Sequence, residues 1–129
     1  STVLPLGATI NMDGTALYVG IVSVFAAQAF GIDLVFSDYV LIAGSTTLVS
    51  IGTAAVPGAS LFLIAAVTQT IGMSPEQTAI VIGFILPFDR PLDMLRTAVN
   101  IGGDLSVSTA VANWENEFDK DIFERPIKF

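Results

Sequence analysis

From Ser1 to Pro75 the chain carries three charges, Asp13, Asp33 and Asp38, and neither Lys nor Arg. A surface facing water cannot be assembled from so little polarity, so lipid is the expected solvent for this stretch. The rest of the composition agrees: charged residues are 13% of the 129, about half the share usual in soluble domains. Five acids (Glu115, Glu117, Asp119, Asp121, Glu124) crowd the last fifteen residues beside Lys120, Arg125 and Lys128. Much of the acidity therefore belongs to a solvated tail, 116–129. There is no basic patch, which excludes nucleic acid as a partner. Cys and His are both absent, which removes disulfides, thiolate metal sites and the commonest general base.

Four segments follow from the apolar pattern. Ala16 to Phe36 is apolar apart from Ser23, Gln28 and Asp33, about the length a spanning helix needs. Upstream, Leu4 to Thr15 (LPLGATINMDGT) is a poor continuation: Pro5, Gly7 and Gly14 weaken a helix, and Asn11 and Asp13 would sit at membrane depth. The pattern predicts one helix over 1–36, broken around Asn11–Asp13. Next, 39–73 reads as two helices too short to span, joined by the small-residue run SIGTAAVPG (Ser50 to Gly58). That is a re-entrant hairpin, whose irregular tip is tolerated at depth only against protein or a wet cavity. A single kinked helix over Tyr39–Met73 is the plain alternative. Ser74-Pro75-Glu76-Gln77 then opens a helix expected to run to Trp114, with Ser74 and Gln77 forming a capping box and kinks at Pro87 and Pro91. Taken whole, 1–115 is an all-α membrane unit. Its first residues run straight into apolar sequence, and the chain is read as a piece cut inside a membrane segment.

The last helix holds the chemistry. Asp89, Asp93, Arg96, Asn100 and Asp104 are spaced 4, 3, 4 and 4, which confines them to about 80° of arc at ~100° per residue. Thr97 lies beside that stripe. Ionisable side chains in a membrane domain are costly, face the bundle interior and point to function; a purely structural Asp93–Arg96 ion pair is the bland alternative. An Arg fork grips a carboxylate better than any other side chain. An Asp one turn earlier suits an ammonium group, and Thr97 and Asn100 offer neutral donors and acceptors for a second carboxylate. The set fits a zwitterion with an acidic side chain, such as aspartate or glutamate. A second, oxygen-rich set joins Asn11, Asp13 and Thr15 at the break to Asp104 of the last helix. Sodium takes carboxylates and free carbonyls, which unwound transporter helices supply.

Three motifs, NMDGT (Asn11 to Thr15), SIGTAAVPG (Ser50 to Gly58) and DMLRTAVNIGGD (Asp93 to Asp104), resemble those of the dicarboxylate/amino acid:cation symporter family, the glutamate transporters and their archaeal aspartate-transporting relatives. The resemblance covers nearly the whole chain to about Glu115 and corresponds to the last third of such proteins. It implies a transport domain that moves like an elevator against a trimeric scaffold, the trimer contacts lying in regions absent from this chain. It also implies a multi-pass integral membrane protein, no enzyme activity and no cofactor, with sodium as coupling ion. By resemblance, Asp93 holds the substrate amino group, Arg96 the side-chain carboxylate and Asn100 the backbone carboxylate. Thr97 assists, and Thr15 with the Val56, Pro57 and Gly58 tip lines the same pocket. One sodium site would use Asp104 with carbonyls of Gly7, Asn11 and Asn100. A second would use carbonyls of Thr9, Ser50, Ile51 and Thr53, and a third the side chains of Asn11 and Asp13.

Pro87, Arg90 and Pro91 depart from the aliphatic or aromatic residues expected early in the eighth helix of that family; Arg90 is expected to pair with Asp89 or face lipid headgroups. Retaining Asp93 argues against substrates without an ammonium group, and retaining Arg96 against neutral amino acids. Asp104 favours sodium over protons. The rival functions are a proton-coupled carrier of C4-dicarboxylates, a membrane enzyme using Asp89 and Asp93 as a carboxylate pair, and an inert assembly segment.

Overall fold

The computed structural model describes residues 3–53 and 55–126, all helix and connection, with no strand among them. The expected helix before Val3, Ala54 of the tip and the end of the tail after residue 126 lie outside the described residues.

The first run is two helices, α1 (Val3–Ile10) and α2 (Asp13–Ala29), separated at Asn11 and Met12. Pro5 sits early in α1, where its missing N–H costs little. Gly7 and Gly14 do not break the run. They are places where α6 (Asp89–Trp114) comes too close for a Cβ: one on Gly7 would fall on the Asp104 carboxylate, and one on Gly14 would stand 2.8 Å from the Arg96 carbonyl oxygen. Pro5–Ala29 is the one helical run among the described residues long and apolar enough to cross a membrane.

The segment 36–70 forms two helices, α3 (Phe36–Ser50) and α4 (Ala59–Thr70), which pack on each other and on α2. A single kinked helix would not bring its halves into contact. Helix α3 begins earlier than the sequence suggests, because the Asp38 carboxylate accepts from the Val35 N–H at 2.9 Å and so closes the first turn. Between the two helices the tip turns at Gly52 and Gly58, both at φ 83°, where a side chain would be strained.

Ser74 caps α5 (Pro75–Ile85): its hydroxyl accepts from the Gln77 N–H, and the Gln77 side chain accepts from the Ser74 N–H. Pro87 cannot donate to a helical ladder, and the chain passes through one 3₁₀ turn, Leu86–Phe88, before α6 begins. Pro91 falls in the first turn of α6, where it is harmless. The region expected as one kinked helix is thus α5, a 3₁₀ turn and α6. A short α7 (Lys120–Phe123) in the tail is capped by Asp119.

The core gathers around α2, whose Val19, Val22 and Ala26 meet Ile42 of α3, Ile64 and Val67 of α4, and Val81 and Ile85 of α5. The opposite face of α2 exposes Leu17, Ile21 and Phe25, and Phe36 and Phe62 are 83% and 80% exposed. Large apolar side chains left uncovered to this extent call for lipid or further protein around the bundle.

Candidate functional site

Helices α1, α2, α4 and α6 and the tip enclose a cavity of about 360 Å³. From α6 it is lined by Asp93, Arg96, Thr97, Asn100, Ile101 and Asp104, and from the broken run by Gly7, Ala8, Asn11, Met12 and Thr15. The hairpin adds Thr53, Ala55, Val56, Pro57, Ala59 and Ser60.

Arg96 is 6% exposed and held on three sides. Its Nη2 donates to Asp93 at 2.8 Å and to Asp89 at 3.3 Å. Its guanidinium carbon stands 4.1 Å above the centre of the Tyr18 ring, a cation–π contact. Nη1 is buried and has no hydrogen-bond partner in the protein. The Asp93–Arg96 ion pair therefore exists, yet it leaves the other prong of the fork free. Asp89 pairs with Arg96 and not with Arg90, which is exposed and in no ion pair among the described residues. Asp89 and Asp93 both accept from one guanidinium nitrogen, and among the described residues no hydrogen bond joins the two carboxyls.

Further along α6, the helix break is stitched to the stripe. The Asn11 amide Nδ2 donates to the Asp104 carboxylate at 2.9 Å and to the Asn100 carbonyl at 3.2 Å. Asn100 Oδ1 accepts from the Gly14 N–H at 2.8 Å, and its Nδ2 donates to the Thr15 hydroxyl at 3.4 Å. The Gly7 carbonyl accepts from the Asn11 N–H at 3.0 Å. Backbone and carboxylate oxygens of Gly7, Asn100 and Asp104 are thus gathered around one asparagine, a donor set of the hard-oxygen type that alkali cations prefer. Among the described residues no three acidic side chains converge on a point.

The remaining expected residues are dispersed. Asp13 is exposed and lies beside Gly103, where an added Cβ would stand 2.8 Å from its carboxylate. Gly58 is the residue before α4. The Thr9 carbonyl accepts the Gly52 N–H at 2.8 Å, tying tip to α1, while the Ser50 carbonyl accepts from the Thr53 N–H within the tip. Ser50 is buried and Ile51 exposed, and neither lines the cavity. Three contributors escaped the sequence reading: Tyr18, Asp89 as the second anchor of Arg96, and Ser60. Tyr18 lies three residues after Thr15, on the same helical face, which was the available signal.

Regular structure that is all helix among the described residues, an arginine buried beside a cavity with a knot of oxygen atoms, and large apolar side chains left exposed together fit a membrane protein. Residues 1–114 match the sodium:dicarboxylate symporter family, and the chain belongs to that family. It is 38% identical over 120 residues to a proton/glutamate-aspartate symporter of Escherichia coli, covering 93% of this chain and 26% of that protein. It is 39% identical over 119 residues to a proton/sodium-glutamate symport protein of Bacillus subtilis, covering 92% and 27%. To an excitatory amino acid transporter of Caenorhabditis elegans it is 37% identical over 123 residues, covering 95% and 24%. The chain spans about a quarter of the length of these relatives. The family consists of membrane transporters, symporters rather than enzymes.

Proposed function

We propose that this chain supplies most of the substrate and cation site of a sodium-coupled symporter of acidic amino acids. The observation that carries this reading is Arg96, a residue lining the cavity whose buried Nη1 is a charged donor without a protein partner. A buried donor left empty is expensive, more so when charged, and a substrate carboxylate would satisfy it. Asp93 is the more open of the two aspartates, with 26% of its side chain exposed against 8% for Asp89. It is therefore the one placed to take an ammonium group, while Asp89 anchors the arginine. Asn100, Thr97 and Thr15 would serve the second carboxylate, with Val56, Pro57 and Gly58 closing over the substrate.

Sodium is the second cargo. One ion would sit among Gly7, Asn11, Asn100 and Asp104. A second would take carbonyls of Thr9, Ser50, Ile51 and Thr53, and a third the side chains of Asn11 and Asp13. The 36–70 hairpin acts as a re-entrant gate, and the unit rides as an elevator domain in a multi-pass, trimeric membrane protein. Proton coupling is the alternative: the Escherichia coli relative is named for protons, and the Bacillus subtilis relative for protons and sodium both.

The test uses the full-length protein in liposomes. Replacing Arg96 with Ala removes the only fixed positive charge among the described lining residues and should reduce sodium-driven aspartate and glutamate uptake by ~100-fold or more. Undiminished uptake would reject the reading. Equal uptake in sodium-free medium under a proton gradient would replace sodium by protons while leaving the substrate assignment standing.

A further inference from the structure

The tail expected to be simply solvated does not leave α6 as a loose strand. Helix α6 stops in a fixed turn directly behind Trp114. The Glu117 N–H donates to the Ala112 carbonyl at 2.9 Å and the Asn116 N–H to the Asn113 carbonyl at 3.3 Å, with Asn116 left-handed at φ 59°. These two bonds are a Schellman stop, a place where asparagine is tolerated better than most side chains. Phe118 therefore follows on a residue pinned to the last turn of the helix. Beyond it, the Asp119 carboxylate accepts from the Ile122 N–H at 3.0 Å and starts α7. That turn brings the Phe118 and Phe123 rings to 5.2 Å, centre to centre, while Trp114, Ile122 and Phe123 stay exposed. Seven of the eleven residues 115–125 are charged, and a tail made only to be solvated has no use for this apolar group among them.

The chain fixes what lies within its reach. No residue from Leu105 to Trp114 is charged, and charges begin at Glu115. In a bilayer, the boundary between hydrocarbon and water on α6 thus falls at Trp114, whose ring suits the headgroup level. Four residues span at most about 14 Å, so Phe118 cannot leave that boundary. We propose that Trp114, Phe118, Ile122 and Phe123 form an interfacial anchor whose partner is the headgroup region of the bilayer. This rests on the membrane placement of α6 in the function proposed above. Residues 115–125 hold five acids against two bases, so anionic headgroups repel the segment and the attraction is apolar. The partner surface is neutral, zwitterionic lipid.

The experiment uses the full-length protein, freed of any other cysteine, with Ile122→Cys or the control Lys120→Cys carrying an environment-sensitive fluorophore, in phosphatidylcholine liposomes. Apolar groups at an interface sit roughly 5–10 Å into the headgroup boundary, so lipids with a nitroxide at that depth should quench the Ile122→Cys label about threefold more than the Lys120→Cys label. Aqueous iodide should give the reverse order. Exchanging Phe118 and Phe123 for Ser, or adding phosphatidylglycerol, should move the Ile122→Cys label toward water. A label there that iodide reaches as freely as the control overturns the anchor. So does one shielded from both quenchers, because protein would then cover it. Aspartate uptake by the same liposomes is read separately. Its absence would sink the transporter reading, whereas uptake with a water-exposed Ile122→Cys label would sink the anchor alone.

Discussion

Two glycine amides reach across helix boundaries next to residues that line the cavity, Thr15 and Thr53, and each donates at 2.8 Å. Gly14 donates to the Asn100 side chain from within a chain of bonds that runs from Thr15 through Asn100 and Asn11 to Asp104. Gly52 donates to the Thr9 carbonyl, and among the described residues that is the one hydrogen bond joining the tip 51–58 to anything beyond its own hairpin arms, α3 and α4. Equal bond lengths thus conceal unequal settings. Gly14 is buried and Gly52 exposed. Breaking the first bond disturbs a network, and breaking the second frees a loop. Under the proposed function, such a cavity would hold its ligands on the stitched wall and admit them past the tethered one.

The largest expected effect comes from forcing the stitched wall apart. In Gly14→Ala the new methyl meets the Arg96 backbone carbonyl at 2.8 Å and the Val99 Cβ at 3.0 Å, and backbone cannot swing aside. Overpacking of this kind costs about 1–3 kcal/mol and shifts the helix that carries Arg96, so the melting temperature should fall and aspartate uptake should be nearly lost. Gly103→Ala meets only side-chain ends, Asn11 Nδ2 and Asp13 Oδ2, and should be milder in both assays. The reverse ranking would mean that the α2–α6 contact is not the rigid one.

Next comes Asn11→Ala, which leaves the Asn100 carbonyl and the Asp104 carboxylate without their shared donor. The Asn100 carbonyl keeps its place in the α6 ladder, but a part-buried carboxylate deprived of a donor costs about 1–3 kcal/mol. Stability measured without sodium should drop by that order, and the sodium concentration for half-maximal uptake should rise. A variant with wild-type stability and wild-type sodium dependence would show that the break is held by packing alone.

Much of this architecture was legible in the sequence, because membrane depth penalises polarity. Asn11 and Asp13 amid apolar residues mark a break, and charges four, three, four and four apart on one helix mark a face. The pairings were not legible. Spacing put Asp89 beside Arg90 as readily as beside Arg96, and only the packing of α2 against α6 chose Arg96. The glycines were misread for a related reason. Gly7 and Gly14 looked like helix breakers, whereas α2 runs regularly through Gly14 and α1 through Gly7. A close approach between elements distant in sequence leaves no local trace. Ser60 had a faint signal: a hydroxyl two residues past the tip, opening a helix that is then apolar as far as Val67. The start of α3 was missed because Asp38 was read as a loop residue when it closes a first turn.

The smallest perturbation, and the most direct measure of the two walls, is exchange of their own amide hydrogens. Gly14 should exchange only when the bundle opens as a whole, whereas Gly52 needs one bond to break and a short loop to lift. Without substrate, the full-length protein should therefore exchange Gly52 roughly 100-fold faster than Gly14 or more. If the tip must open for substrate to leave, aspartate at ten times its dissociation constant, with sodium present, should slow Gly52 about tenfold. Gly14, already exchanging on the slowest scale, gives the ceiling against which that protection is read. A Gly52 amide as slow as Gly14 without ligand would make both walls rigid and remove the gate. One that exchanges fast and stays equally fast with aspartate and sodium bound would leave the tip mobile but uncoupled from the cavity beneath it.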